Sequence, residues 1–220
     1  MTADAAGGPP GPAHGPSTGG VRERKKRRTR MALIDAALEL FARNGYEDTT
    51  IDEIVAALPV SQRTFFRYFA SKEDVILSQV TERYQALEHA LAARPADERP
   101  FTALFEALRT VLQTIAAGDE EDVARFRRIR QVIEATPPLL SAELTRYAAS
   151  EGALVAEVAR REGVDPERDL RPRLVVALFT AATRVGFEDC SRRSIWDPGT
   201  IAARVDETVA LVDATVRDWT

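Results

Sequence analysis

The chain has 220 residues, 45% of them hydrophobic and 29% charged, enough apolar material for one large buried core or two smaller ones. Its formal charge of −4 is unevenly placed: residues 1–72 hold 11 Lys/Arg against 8 Asp/Glu, and residues 73–220 hold 19 against 26. A basic end on an acidic body points to a polyanion met at one end only, while the single cysteine, Cys190, excludes an internal disulfide framework and fits a reducing, cytoplasmic setting.

Residues 1–21 are rich in Gly, Pro and Ala without apolar periodicity, so a disordered arm is expected there. The opening has no basic stretch leading into an apolar one, so no secretory signal is expected. The apolar runs stop short of a bilayer span, which leaves no membrane partner. His14 lies in the arm and gives no metal-site signal. Next come Arg22, Arg24, Lys25, Lys26, Arg27, Arg28 and Arg30, opposed only by Glu23. Such a run is either a solvated, flexible segment or a phosphate clamp that doubles as a minor-groove arm, with Arg28 and Arg30 as candidate contacts. Leu33, Ile34, Ala37, Leu38 and Phe41 then mark an amphipathic helix ending near Asn44-Gly45.

From Thr50 to Asp74 the punctuation is dense. Thr50 and Glu53 form a capping-box pattern, and Ile51, Ile54, Val55 and Leu58 share one helical face. Pro59 cannot donate a backbone hydrogen bond and disfavours α geometry at Leu58, so that helix stops there. Ser61 is placed to cap a second helix with Phe65, Phe66 and Phe69 apolar and Gln62, Arg63, Thr64 and Arg67 polar. Helix, short break and polar-faced second helix make a helix-turn-helix, whose second member enters the DNA major groove. Ser71-Lys72-Glu73-Asp74 starts a further helix that runs to about Ala93.

Four more helices follow at about 101–117, 123–136, 139–161 and 174–187, and a last one carries Ile201, Val205, Val209, Val212, Val216 and Trp219. No stretch alternates with strand period. The expected fold is all-α, with about nine helices: a three-helix helix-turn-helix head over 22–74 and a six-helix body over 75–220. The 174–187 segment is apolar nearly all round except Arg184. It and the last helix either complete the body's core or pack against the same pair in a second copy. The cluster Arg125, Arg127, Arg128 and Arg130 reads as a solvated helix face; lining an opening, it would suit an anionic ligand such as an acyl-CoA.

Enzyme chemistry has little to stand on. There is no GxSxG, no Gly-rich phosphate loop and no metal-ligand spacing, and His14 and His89 are the only histidines. No catalytic residue, metal site or cofactor is expected. An all-α protein-binding adaptor is the other alternative, but it would need neither the charge asymmetry nor the polar row Gln62-Arg63-Thr64.

Taken together, Gly45-Tyr46, Thr49-Thr50-Ile51, Ile54-Val55, Val60-Ser61, Thr64 and Phe66-x-Tyr68-Phe69-x-Ser71-Lys72-Glu73-Asp74 resemble the tetracycline-repressor (TetR) family of transcriptional regulators. Only about 50 residues carry the likeness. The string Arg63–Phe69 is most similar to actinobacterial members, including those of the mycofactocin-cluster type. The resemblance implies a homodimer that binds a double-stranded DNA operator through its heads and a small-molecule effector in its body. Gln62, Arg63 and Thr64 then stand at the front of the recognition helix. Tyr68, Lys72 and Thr50 occupy phosphate-contacting positions, and Ser61 and Arg67 flank them. Arg63 suits guanine O6/N7, unless it pairs with a nearby carboxylate. Phe65 and Phe69 read as filling for a small core. The family usually has glycine at the positions of Pro59 and, often, Arg63, so the turn must be built differently here. In the body, Phe101, Phe105, Phe126, Tyr147 and Phe179 are candidates both for pocket wall and for core. Leu174, Leu178, Val185, Val205, Val209, Val212 and Val216 are the candidate dimer interface.

Overall fold

The computed structural model describes residues 18–218, with side chains described at 22–212, 214 and 215. Its helices are α1 (Thr18–Asn44), α2 (Ile51–Ala56), α3 (Gln62–Phe66), α4 (Lys72–Ala92), α5 (Pro100–Ala116), α6 (Glu120–Ala135), α7 (Pro137–Glu162), α8 (Arg171–Arg192) and α9 (Pro198–Asp218). No strand occurs among the described residues, so the fold is all-α. No helix among them is long and apolar enough to cross a membrane.

α1 begins earlier than its apolar pattern suggests. The arm expected over 1–21 falls outside the described residues up to position 17, and its last four positions, with the whole basic run, are helical. Beyond Gly20 that run contains no Gly or Pro, and Arg, Lys and Glu lose little rotamer freedom in a helix, so they extend the amphipathic stretch backwards. Gly45, at φ +87°, ends the helix by donating its N–H to Phe41 O at 3.0 Å.

The head's other boundaries follow from local chemistry. Glu53 N–H donates to Thr50 Oγ1 at 3.2 Å, and Thr50 N–H donates back to the Glu53 carboxylate at 2.7 Å. Those bonds to Thr50 hold the Glu53 carboxyl below the usual carboxylate range. α2 ends at Ala56, and Val60 N–H then donates to Leu58 O at 2.8 Å, a three-residue turn centred on Pro59. No residue from 57 to 61 has a positive φ. The turn is thus rebuilt around the φ that proline prefers instead of one that glycine permits. Ser61 Oγ accepts from Thr64 N–H at 3.2 Å, and Ser71 Oγ accepts from Asp74 N–H at 3.1 Å, so each caps the helix that follows it.

One apolar cluster unites Leu33, Leu38 and Phe41 of α1 with Ile54, Phe65, Phe69 and Val75, and it also contains Ile129, Ile133 and Leu139. The head's core therefore runs into α6 and α7. Polar ties reinforce this seam. The Arg125 guanidinium donates twice to Asp35, at 2.7 and 3.0 Å, and Arg30 pairs with Glu82 at 2.7 Å. Arg125 and Arg130 are buried, which corrects the expectation of a solvated arginine face. They fall on the apolar stripe of α6, beside Phe126, Ile129 and Ile133, and carboxylates elsewhere in the chain neutralise them. The second cluster fills the body between α4, α5, α7, α8 and α9. A Cβ at Gly186 would lie 3.2 Å from Thr208 Oγ1 and 3.4 Å from Val205 Cγ2, so α8 and α9 approach closely within one chain.

Candidate nucleic-acid interface and interior cavity

α3 presents two faces. Phe65 and Phe69 point into the head, fully enclosed, and their rings lie 5.6 Å apart. Gln62, Arg63 and Arg67 point out, joined by Phe66, which is 54% exposed. Phe66, apolar like Phe65 and Phe69, is turned by the helix to the outer side, edge-on to Phe65 at 5.5 Å. It sits three residues after Arg63 and four after Gln62, so the three share one surface. Arg63 makes no hydrogen bond or ion pair with any described residue. Arg67 stacks over the Tyr68 ring at 5.0 Å and donates to its hydroxyl at 3.3 Å. Gln62 donates its amide to Asp52. The Ser61 and Thr64 hydroxyls lie 3.2 Å apart in the cap of α3.

Three other expected contacts are engaged elsewhere. Lys72 Nζ donates to the carbonyls of Tyr46, Glu47 and Thr49 at 2.5, 3.1 and 2.9 Å. It also lies 4.3 Å from the centre of the Tyr46 ring. All three ammonium protons are used, so Lys72 closes the loop after α1 and its ammonium is not free for a phosphate. Burial and the neighbouring Glu73 and Glu47 push the Tyr46 phenol up to about 12. Thr50 spends both its amide and its hydroxyl on Glu53. Arg30 turns toward the body: it donates to Ser78 Oγ at 2.9 Å, pairs with Glu82 at 2.7 Å and lies over the Phe69 ring at 5.4 Å. Arg28 remains exposed. The basic part of α1 lies along an open groove of about 840 Å³, where Arg24, Lys26 and Arg27 face Gln79 and Glu82 of α4, Thr114 of α5 and Asp122 of α6.

The body holds a second, partly open cavity of about 680 Å³ between α4, α5, α6, α7 and α8. Phe126, Tyr147 and Phe179 line it, but Phe101 and Phe105 do not. Those two belong to an edge-to-face chain that continues to Phe179, at 4.8 and 4.9 Å, and fills the body's core. Leu87, Leu108, Val111 and Leu112 supply much of the apolar wall. One end is polar. Arg130 donates to Glu143 and Glu134, each at 2.6 Å, and Ser191 donates to Glu134 at 3.0 Å. Tyr147 and Thr180 share a 2.6 Å hydroxyl contact, and Tyr84 stands edge-on to Tyr147 at 5.4 Å. Burial raises both phenols, with Glu143 adding to the effect on Tyr84. Sequence reading missed Arg83, Glu134 and Glu143 here, and gave Arg130 only as one of a cluster expected on a solvated face, with the lining of an opening as the alternative. Their signal was polarity on an apolar stripe: Arg83 falls three residues after Val80 and four before Leu87. No group of three or more His, Cys, Asp or Glu placed to hold a metal occurs among the described residues.

The expected dimer residues divide. Leu174, Leu178 and Val185 form an exposed apolar stripe on α8, and Leu211 of α9 is 66% exposed. Val205 is buried within its own chain beneath Gly186, while Val209 and Val212 pack half-buried on the body's core. Val216 and Trp219 lie outside the residues whose side chains are described.

Residues 33–78 match the family description "Bacterial regulatory proteins, tetR family", and residues 102–215 match "MftR C-terminal domain". The chain belongs to the TetR family. Its C-terminal match puts it with the mycofactocin-type regulators, and its head is a helix-turn-helix DNA-binding unit. It is 46% identical over 172 residues to the HTH-type transcriptional regulator TcmR of Streptomyces glaucescens, a span covering 77% of this chain and 76% of TcmR. It is 30% identical over 191 residues to the mycofactocin biosynthesis transcriptional regulator MftR of Mycobacterium tuberculosis, with 87% of each chain covered. Among solved structures, the Bacillus subtilis regulator FadR in complex with stearoyl-CoA shares the fold. Its TM-score is 0.51 at 18% identity, over 82% of this chain and 96% of that one. The relatives are transcriptional regulators, and so is this protein; it is not an enzyme.

Proposed function

We propose that this regulator is a cytoplasmic, dimeric repressor that leaves a palindromic operator when a small hydrophobic or acyl-type effector enters the body's cavity. The observation that carries the operator-binding part is the outer face of α3, where an unpaired Arg63 stands beside an exposed Phe66 while the head's other phenylalanines are buried. Arg63 is suited to guanine and Phe66 to a thymine methyl. Ser61, Gln62, Thr64, Arg67 and Tyr68 surround them, and the exposed Arg28 adds a phosphate contact. Residues 22–74 act as the reading head and 75–220 as the sensing body. The exposed stripe of Leu174, Leu178, Val185 and Leu211 is the surface that meets a second copy, placing two heads about one DNA turn apart.

The cavity supports the effector part. Its wall includes α4 and α6, the helices tied to α1 through Glu82–Arg30 and Arg125–Asp35. A ligand that favours another spacing of α4 and α6 therefore shifts the heads. A preference of about 3 kcal/mol between the two states is enough to release most of the operator.

Pull-down of genomic DNA with the purified chain identifies the operator, and titration on that fragment tests the reading. Affinity should fall with salt at a log–log slope of about −0.9 per neutralised phosphate. A flat response removes the DNA reading and favours the adaptor. The double change Leu174→Asp with Leu178→Asp should elute as a monomer on sizing; an unchanged dimer removes α8 from the interface.

A further inference from the structure

Arg83 is a partly buried cation with no ion-pair partner among the described residues. Its guanidinium forms no ion pair and no hydrogen bond with any described residue, and its Nη2 is enclosed and unpartnered. The adjacent Glu82 is taken by Arg30, and the nearby Glu143 accepts from Arg130. What Arg83 does meet is the Phe126 ring, 5.3 Å from its centre. Burial and the like charge of Arg130 pull the Arg83 guanidinium down to about 10, still cationic at neutral pH. Arg130 contributes a second enclosed donor, since its Nε also lacks a partner. An enclosed charge left uncompensated is unfavourable unless something supplies the opposite charge.

The position of these donors is specific. Arg83, Val111, Ile115 and Phe126 belong to the walls of both the 680 Å³ interior cavity and the 840 Å³ groove beneath the basic part of α1. Arg83 thus stands where the two spaces adjoin, with an apolar chamber of Leu87, Leu108 and Leu112 beyond it. Resting on the effector reading above, we infer that the effector is an anionic amphiphile, its apolar part in the body's cavity and its oxyanion held by the Arg83 guanidinium beside Arg130. The acidic group can be a carboxylate, a phenolate or a sulfonate, because the donors offer charge and two N–H groups without a shape that selects among them. Arg83 is the residue that separates acids from neutral molecules of the same outline. It lies on α4, one position from the Glu82 that holds α1, so neutralising it alters the charge balance at the seam between head and body.

Two fluorescent probes that differ by one acidic group test this: anilinonaphthalene sulfonate and the uncharged phenylnaphthylamine, each titrated into the full-length dimer. The sulfonate should bind about tenfold or more tightly than the neutral probe, the range expected of hydrogen bonds to a charged group. Arg83→Gln should abolish that preference while leaving the neutral probe within about twofold, and Arg83→Lys should keep part of it. Arg83→Met should melt at or above the parent temperature, because it removes an unpaired charge; a clear loss of stability would mark Arg83 as structural and overturn the assignment. Equal binding of the two probes to the parent, or a preference that survives in Arg83→Gln, also overturns it and leaves the cavity's role as an effector site intact. Binding of neither probe overturns both.

Discussion

Head and body are made of similar apolar residues, yet they use aromatic rings in opposite ways. In the head, Phe41, Phe65 and Phe69 are buried against aliphatic and aromatic neighbours and fill the space between α1 and α3. In the body, Phe126, Tyr147 and Phe179 surround 680 Å³ of space and share it with the charges of Arg83, Arg130 and Glu143. A filled core holds one geometry, which suits a helix that must present Arg63 and Phe66 at fixed spacing. A core that keeps a cavity gives up part of its packing energy and can adopt more than one arrangement. The contrast assigns rigidity to the DNA-binding end and adaptability to the body, as the proposed effector response requires.

The sharpest way to break this contrast is Phe65→Ala. It should cost about 3–5 kcal/mol, read by chemical denaturation, because the tight head cannot close around the loss. Lys72→Met should come next, at about 2–3 kcal/mol of stability, since three carbonyls of the loop after α1 lose a charged donor. If that variant instead keeps its stability and only lowers the salt slope of operator binding, Lys72 is a phosphate contact after all. Arg63→Ala should leave folding unchanged and cost about 1–3 kcal/mol on the operator, relaxing base preference at one position; equal weakening on random DNA would make it a phosphate ligand. In the body, Val111→Phe should shift stability by less than about 1 kcal/mol, because the cavity can take a ring that a filled core could not. The smallest effect concerns Asp169, whose side-chain and backbone bonds from Arg171 draw its carboxyl down from 3.8 to about 2. With the folded value depressed, its contribution is present above the unfolded value and fades as pH falls toward about 2. Asp169→Asn should therefore narrow the stability gap between neutral and acid solution, measured by thermal melts.

The parts legible in the sequence were those decided within a few residues. Thr50 with Glu53, Ser61, Ser71 and Gly45 mark helix ends because caps act across three or four positions, and the structure uses each of them. Helix periodicity likewise carried the all-α fold. The site was less legible because its deciding partners are remote. Asp35 is 90 residues from Arg125, and the carbonyls that hold Lys72 are 23 to 26 residues away. Phe66 was left unassigned for a different reason: an apolar side chain gives no sign of its face, and only the rotation of a five-residue helix about Phe65 turns it outward. Phe101 and Phe105 show the converse, since sequence cannot tell which aromatics of a bundle face a void and which face one another.

Ile129, Ile133 and Leu139 sit in the same apolar cluster as the head's own phenylalanines. The reading unit is therefore not a cassette that could be cut after Asp74 and grafted onto another body. A chimera exchanging sensing domains within the family would need matching surfaces from α6 and the start of α7, or the transplanted head would meet water with part of its interior. A substitution at this seam is therefore felt in both halves at once, whereas one at Leu108 or Leu112 of the cavity wall is felt in the body alone.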